Sequence, residues 1–192
     1  MTSPVERISG PSTVSTPWKR ANGNTASLTA TCSNLVFVRP NDASGWRVLG
    51  QELQEFSKPF RASGITFGWH NHDFELMRQT DGSLPLDELF ASAPDLSWEI
   101  DVAWIVRAGL DPIVWIKKYA ERLSAVHVKD LAPPGECLDE DGWADVGHGT
   151  MDWKAIWAAV RQTPVQFFPM EHDKPNDHER FARRSIETVK AL

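Results

Sequence analysis

Cysteine is nearly absent: Cys32 and Cys137 are the two thiols in 192 residues. Far apart in sequence, they fit neither a disulfide framework nor a cysteine-ligated zinc site, and they suggest a reducing cytoplasm. Long apolar runs are missing too. Nothing approaches the ~18 consecutive apolar residues of a membrane span. The N-terminus has no charged start followed by an apolar stretch, so a secretory signal is not expected. Nor is there a basic excess: 20 Lys and Arg stand against 26 Asp and Glu, a net charge of −6. That balance argues against a nucleic-acid partner. Asp139-Glu140-Asp141 lacks the alternating ligands of a calcium loop. Gly147-His148-Gly149 follows no strand directly and has no Walker-type lysine, so it is a poor phosphate loop.

What is present is an ordinary globular composition, with 41% hydrophobic and 24% charged residues, and enough length for one core. Residues 1–33 are Ser/Thr-rich, punctuated by Pro4, Gly10, Pro11, Pro17 and Gly23, and show no sustained period. They read as a disordered tail. From Asn34 onward apolar strands alternate with amphipathic helices. Strands are expected at Leu35–Val38, at 65–70, 97–102, 124–129 and 165–171. Helices are expected from an N-cap at Ser44 to about Gly64, with Pro59 distorting the last turn, and over about 86–93. Three more are expected from Asp111-Pro112 to about Arg122, from Asp152, and over about 177–190. The alternation predicts parallel βαβ units with right-handed crossovers. A complete (β/α)8 barrel needs eight units and typically ~250 residues. Five are legible here, so the fold class is α/β, a partial (β/α)8 barrel spanning residues 34–192.

Four of these strands end in chemistry. Gly68-Trp69-His70-Asn71-His72-Asp73-Phe74-Glu75 closes the second, Glu99-Ile100-Asp101 the third, His127-Val128-Lys129-Asp130 the fourth and Glu171-His172-Asp173 the fifth. Because side chains alternate along a strand, Glu99 shares a face with Asp101, His127 with Lys129, and His70 with His72, while apolar residues take the other face. A strand-end histidine pair alone fits a plain hydrogen-bonding role, and Asp101 alone fits a helix cap. Together on neighbouring strands they point to a metal or catalytic site at the C-terminal mouth. Imidazole and carboxylate together suit Mn²⁺, Co²⁺, Zn²⁺ or Mg²⁺. Such an ion can assist proton abstraction next to a carbonyl, with acids or a lysine outside its ligand set as acid and base. Asp130 and Asp173, acids at these same ends, are assigned to substrate contact. Trp69 and Trp104, which flank strand ends, are candidate sugar-stacking surfaces, as is Trp143 in the long loop. His148 and His178 are given surface roles.

These motifs, with Val102-Ala103-Trp104, Gly147-His148-Gly149 and Asp152-Trp153 between them, resemble in order the sugar phosphate isomerase/epimerase family. These are the xylose-isomerase-like TIM barrels, which also include inosose dehydratases and endonuclease IV. The resemblance covers about residues 34–192. It implies a divalent metal held by one ligand from each of four strands: His70 (where many relatives have Glu), Asp101, His127 and Glu171. It makes His72, Glu75 and Lys129 candidates for substrate contact or acid–base work. His148 departs from relatives that often place an acid between the two glycines. The first three βα units are not legible; the Ser/Thr-rich segment occupies their place. The expected function is a metal-dependent isomerase or epimerase acting on a sugar phosphate or keto-sugar. A lyase of the same fold, dehydrating a keto-inositol, is the alternative, and an inactive barrel fragment that binds a partner chain is the third. An open half-sheet exposes edges and apolar faces, which predicts a homodimer or aggregation.

Overall fold

The computed structural model describes residues 28–31, as backbone only, and residues 39–192. The strand expected at Leu35–Val38, Cys32 and most of the segment 1–33 lie outside the described residues. Within that segment the structure has a short strand, β1 (Leu28–Thr31), where no periodicity pointed to one.

Helix α1 (Ala43–Ala62) starts at Asp42 rather than Ser44: the Asp42 carboxylate accepts from the Gly45 amide at 2.7 Å. A first helical turn has no internal acceptors for its N–H groups, and an acid just ahead of it supplies one. The helix runs on through Pro59 to Ala62. Trp46, Leu49 and Leu53 recur at the expected spacing and are buried. They face α2 (Pro85–Ser92) and strand β2 (Ile65–His70). Gly50 permits the close approach of the two helices, since a Cβ there would lie 2.6 Å from the Leu89 carbonyl oxygen.

Strands β2, β3 (Ser97–Asp101) and β4 (Leu123–His127) form with β1 a parallel sheet in the order β1-β2-β3-β4. Parallel strands buried beneath helices explain why Trp98, Ile100 and Val126 are wholly inaccessible. Trp98 packs edge-on against Phe90, Trp115 and Tyr119. Two helices separate β3 from β4. The first, α3 (Val102–Arg107), begins where the sequence reads as continuing strand; the second, α4 (Pro112–Lys118), starts at the Asp111 cap. A 3₁₀ turn at Ala120–Arg122 leads into β4.

The long loop after β4 contains a small antiparallel pair, β5 (Asp130–Leu131) with β6 (Trp143–Ala144). Helices α5 (Trp153–Val160) and α6 (His178–Ala191) follow, capped by Asp152 and Asp177. Between them the expected strand 165–171 is an extended segment rather than a regular strand. It joins β4 through Val126 N to Phe167 O (3.0 Å), Val128 N to Pro169 O (2.7 Å) and Glu171 N to Val128 O (3.1 Å). Val128 and Met170 form a parallel bridge. Pro169 faces β4 with its carbonyl but has no N–H to give to the Val126 carbonyl, so the ladder is interrupted there. Among the described residues, no helix is long and apolar enough to cross a membrane.

Candidate metal centre

His70, Asp101 and His127 are the last residues of β2, β3 and β4, and Glu171 follows the Val128–Met170 bridge. All four stand at the C-terminal ends of adjacent parallel segments. One donor atom from each lies within 4.8 Å of the others. The register sets this convergence, with His70 beside Glu99 and Asp101 beside His127.

Asp101 is both a helix cap and a member of the cluster. Its Oδ1 accepts from the Ala103 and Trp104 amides (2.9 and 3.1 Å), opening α3. Its Oδ2 is buried and has no hydrogen-bond partner, and His70 Nδ1 is in the same condition. Such atoms cost about 1–3 kcal/mol each when left without a hydrogen bond; the Lys129 ammonium, 3.7 Å from Oδ2, is too far to supply one. The imidazole of His127 is held from both sides. Nδ1 meets Glu171 Oε2, and Nε2 lies 2.6 Å from Glu99 Oε1. One ring nitrogen turned to the cluster and the other tied to a carboxylate is how metal-binding imidazoles are oriented.

The electrostatics pull the cluster two ways: His70 is in the form that takes a cation, whereas His127 carries a proton that a bound ion would displace. Burial, reinforced by His127 and His72, lowers the His70 pKa to about 3 and keeps the ring neutral, the form a metal binds. Burial raises Asp101 to about 6, an effect that the Lys129 and His127 charges only partly offset. In His127, burial is outweighed by the hydrogen bonds to Glu171 and Glu99, and its pKa rises. In Glu171, burial is outweighed by the His127 hydrogen bond and charge, and its pKa falls. Two imidazoles and two carboxylates at this spacing could hold a metal ion.

Beside the cluster, Lys129 is 1% exposed. Its ammonium lies 4.1 Å from the Trp143 ring centroid and 2.6 Å from Asp173 Oδ1, with Asp101 Oδ2 at 3.7 Å. His72 is half-buried, its ring 5.2 Å from His70 and 5.1 Å from Trp104, and its Nδ1 has no partner. Burial and then Lys129 lower its pKa. His72, Lys129, Trp104 and Asp173 are thus gathered around the cluster.

Three expected site residues are not. Trp69 is buried against Trp46, because its odd position on β2 points it to the helix layer. Glu75, wholly buried, accepts from the Trp69 indole (3.1 Å) and the His72 amide (2.9 Å), and both its oxygens are used in the core. Asp130 is committed to the loop after β4. Its Oδ1 accepts from Leu131 N (2.8 Å) and Met151 N (3.2 Å), and its Oδ2 from Gly147 N (2.8 Å). Gly149 rests on the same carboxylate, leaving His148 exposed. Conversely, Glu99 enters the site without having been assigned to it. Its signal was the face it shares with Asp101.

No protein-family model matches the chain, and no curated protein does. Solved structures do. A sugar phosphate isomerase/epimerase from Parabacteroides distasonis is 20% identical with a TM-score of 0.67, over 80% of this chain and 55% of that one. The IolI protein with a bound zinc atom is 15% identical with a TM-score of 0.60, over 79% and 57%. The probable 3-DHS dehydratase AsbF from Bacillus anthracis is 14% identical with a TM-score of 0.62, over 78% and 58%. The chain spans a little over half the length of these structures. Over that length it carries the fold of the sugar phosphate isomerase/epimerase proteins and xylose-isomerase-like TIM barrels.

Proposed function

We propose that His70, Asp101, His127 and Glu171 hold a divalent metal ion, and that the surrounding mouth acts as an isomerase or epimerase on a sugar-like carbonyl compound. The observation that carries this reading is the convergence of four donor atoms within 4.8 Å, in which Asp101 and His70 each keep a buried polar atom without a hydrogen bond. When bound, Mn²⁺, Co²⁺, Zn²⁺ or Mg²⁺ would supply positive charge that eases proton loss from the carbon next to a carbonyl. The chain's own residues supply the rest. His72, half-buried with its ring 5.2 Å from that of His70, is the residue we assign to take the proton and return it. Lys129, held by Asp173, donates to a substrate oxygen. Trp104 offers an aromatic face to the apolar side of a sugar ring.

The test is metal content of the purified chain by elemental mass spectrometry, beside Glu171→Ala. About one Mn, Co or Zn per chain is expected in the wild type, and loss of tight binding in the variant. Stoichiometric metal retained by Glu171→Ala would refute the ligand assignment. A screen of keto-sugars in D2O then reads the chemistry, as deuterium entering the carbon beside the carbonyl.

A further inference from the structure

Asn71 lies one residue beyond the end of β2 and is completely buried. The β2–β3 ladder has its last paired residues at His70 and Glu99. Beyond them, a side chain takes over the pairing. Asn71 Oδ1 accepts from the Asp101 amide at 2.9 Å, and Nδ2 donates to the Asp101 carbonyl at 3.2 Å. The amide thus presents to Asp101 the donor and acceptor that a neighbouring strand's backbone would. Oδ1 also accepts from the Trp98 indole at 2.9 Å, and Nδ2 also donates to the His72 carbonyl at 3.3 Å. The orientation of the amide is dictated by these four groups. Both partners of Oδ1 are obligate donors and both partners of Nδ2 are acceptors, so a flipped amide would lose every bond.

Asp101 is therefore held at three points: its N–H and its carbonyl by Asn71, and Oδ1 by the start of α3. Oδ2 alone is left for the cluster. The same amide grips the backbone of His72, and His70 is its immediate neighbour in the chain. We infer that Asn71 is the positioning residue of the proposed metal centre, setting the end of β3 against the end of β2 so that Asp101 Oδ2 and His70 meet one ion. The inference rests on the metal reading above. Asp cannot replace it, having no donors for the Asp101 and His72 carbonyls, and Gln is one methylene too long for the same four bonds.

The experiment titrates the metal-stripped full chain with Mn²⁺ or Zn²⁺ alone, by calorimetry, each variant well below its own unfolding midpoint. Asn71→Ala and the shape-keeping Asn71→Leu are expected to bind about 10–100-fold more weakly than wild type, the range for residues that orient metal ligands. Trp98→Phe removes one bond from the same amide and disturbs the same core, but leaves both contacts to Asp101; its affinity is expected to match wild type. A loss in Trp98→Phe equal to that of the Asn71 variants would reduce the effect to general destabilisation and overturn the inference. A wild type that takes up no metal refutes the metal centre itself. Wild-type uptake with unchanged affinity in both Asn71 variants refutes the positioning role alone. Independently of any variant, the wild-type Asp101 amide is expected to exchange hydrogen as slowly as the amides inside β3, and more slowly still once metal is added. Rapid exchange there, untouched by metal, overturns the inference without recourse to a mutant.

Discussion

At Glu75 a carboxyl group sits in the core with two N–H donors on its oxygens, and burial raises its pKa from 4.5 to about 7. Between those values the folded chain keeps a proton that the unfolded chain has released. Stability therefore falls as pH rises through that window, by at most about 3 kcal/mol. Glu75→Gln carries no charge to titrate. Its urea midpoint is expected to change less than that of wild type between about pH 5 and 7, and identical slopes would show that Glu75 is ionised throughout. Lys129 is the other residue whose role turns on charge. Lys129→Met keeps an unbranched stem against Trp143 and deletes the ammonium that faces Asp173 and Asp101. If Lys129 serves the substrate, proton exchange on a carbonyl substrate should fall roughly 10²–10⁴-fold while metal uptake persists. Undiminished exchange would remove it from the chemistry.

Two elements show how local rules were overridden or hidden. The strand expected over 97–102 stops at Asp101, and Val102-Ala103-Trp104-Ile105-Val106, an apolar run to which no helix was assigned, is helix α3. The turn is made by Asp101, whose Oδ1 supplies the acceptor that a first helical turn lacks. The capping signal was visible in the sequence but was read as a ligand, and the structure uses one oxygen for each purpose. The loop after β4 carries no periodicity at all. Its shape comes from Asp130 gathering three backbone amides, and from Gly149 lying against it. A Cβ at Gly149 would fall 2.2 Å from the Leu131 carbonyl oxygen and 2.3 Å from Asp130 Oδ1. Backbone would have to move, so Gly149→Ala is expected to cost about 1–3 kcal/mol in chemical denaturation. A wild-type midpoint would mean that the loop yields freely.

For the molecule as a whole, the proposed centre links metal to fold. An ion that binds the folded chain and not the unfolded one stabilises it by about 2.7 kcal/mol at a hundred times its dissociation constant. Chelation should therefore lower the melting temperature, and replacing the metal should restore it. Chelated and loaded samples that melt together would separate the fold from any metal.

The sequence by itself determined the parallel βαβ order, the strand ends that carry polar side chains, and the faces on which Glu99, Asp101, His127 and Lys129 fall. These follow from local periodicities of two and 3.6, which any short stretch displays. Only the tertiary structure decided that Glu75 and Asp130 spend their oxygens on backbone and indole donors, that Trp69 belongs to the core, and that Asn71 stands in for a strand. Each of those depends on which distant N–H or carbonyl lies within 3 Å or so of a side chain, a matter of register between strands. No single segment encodes it.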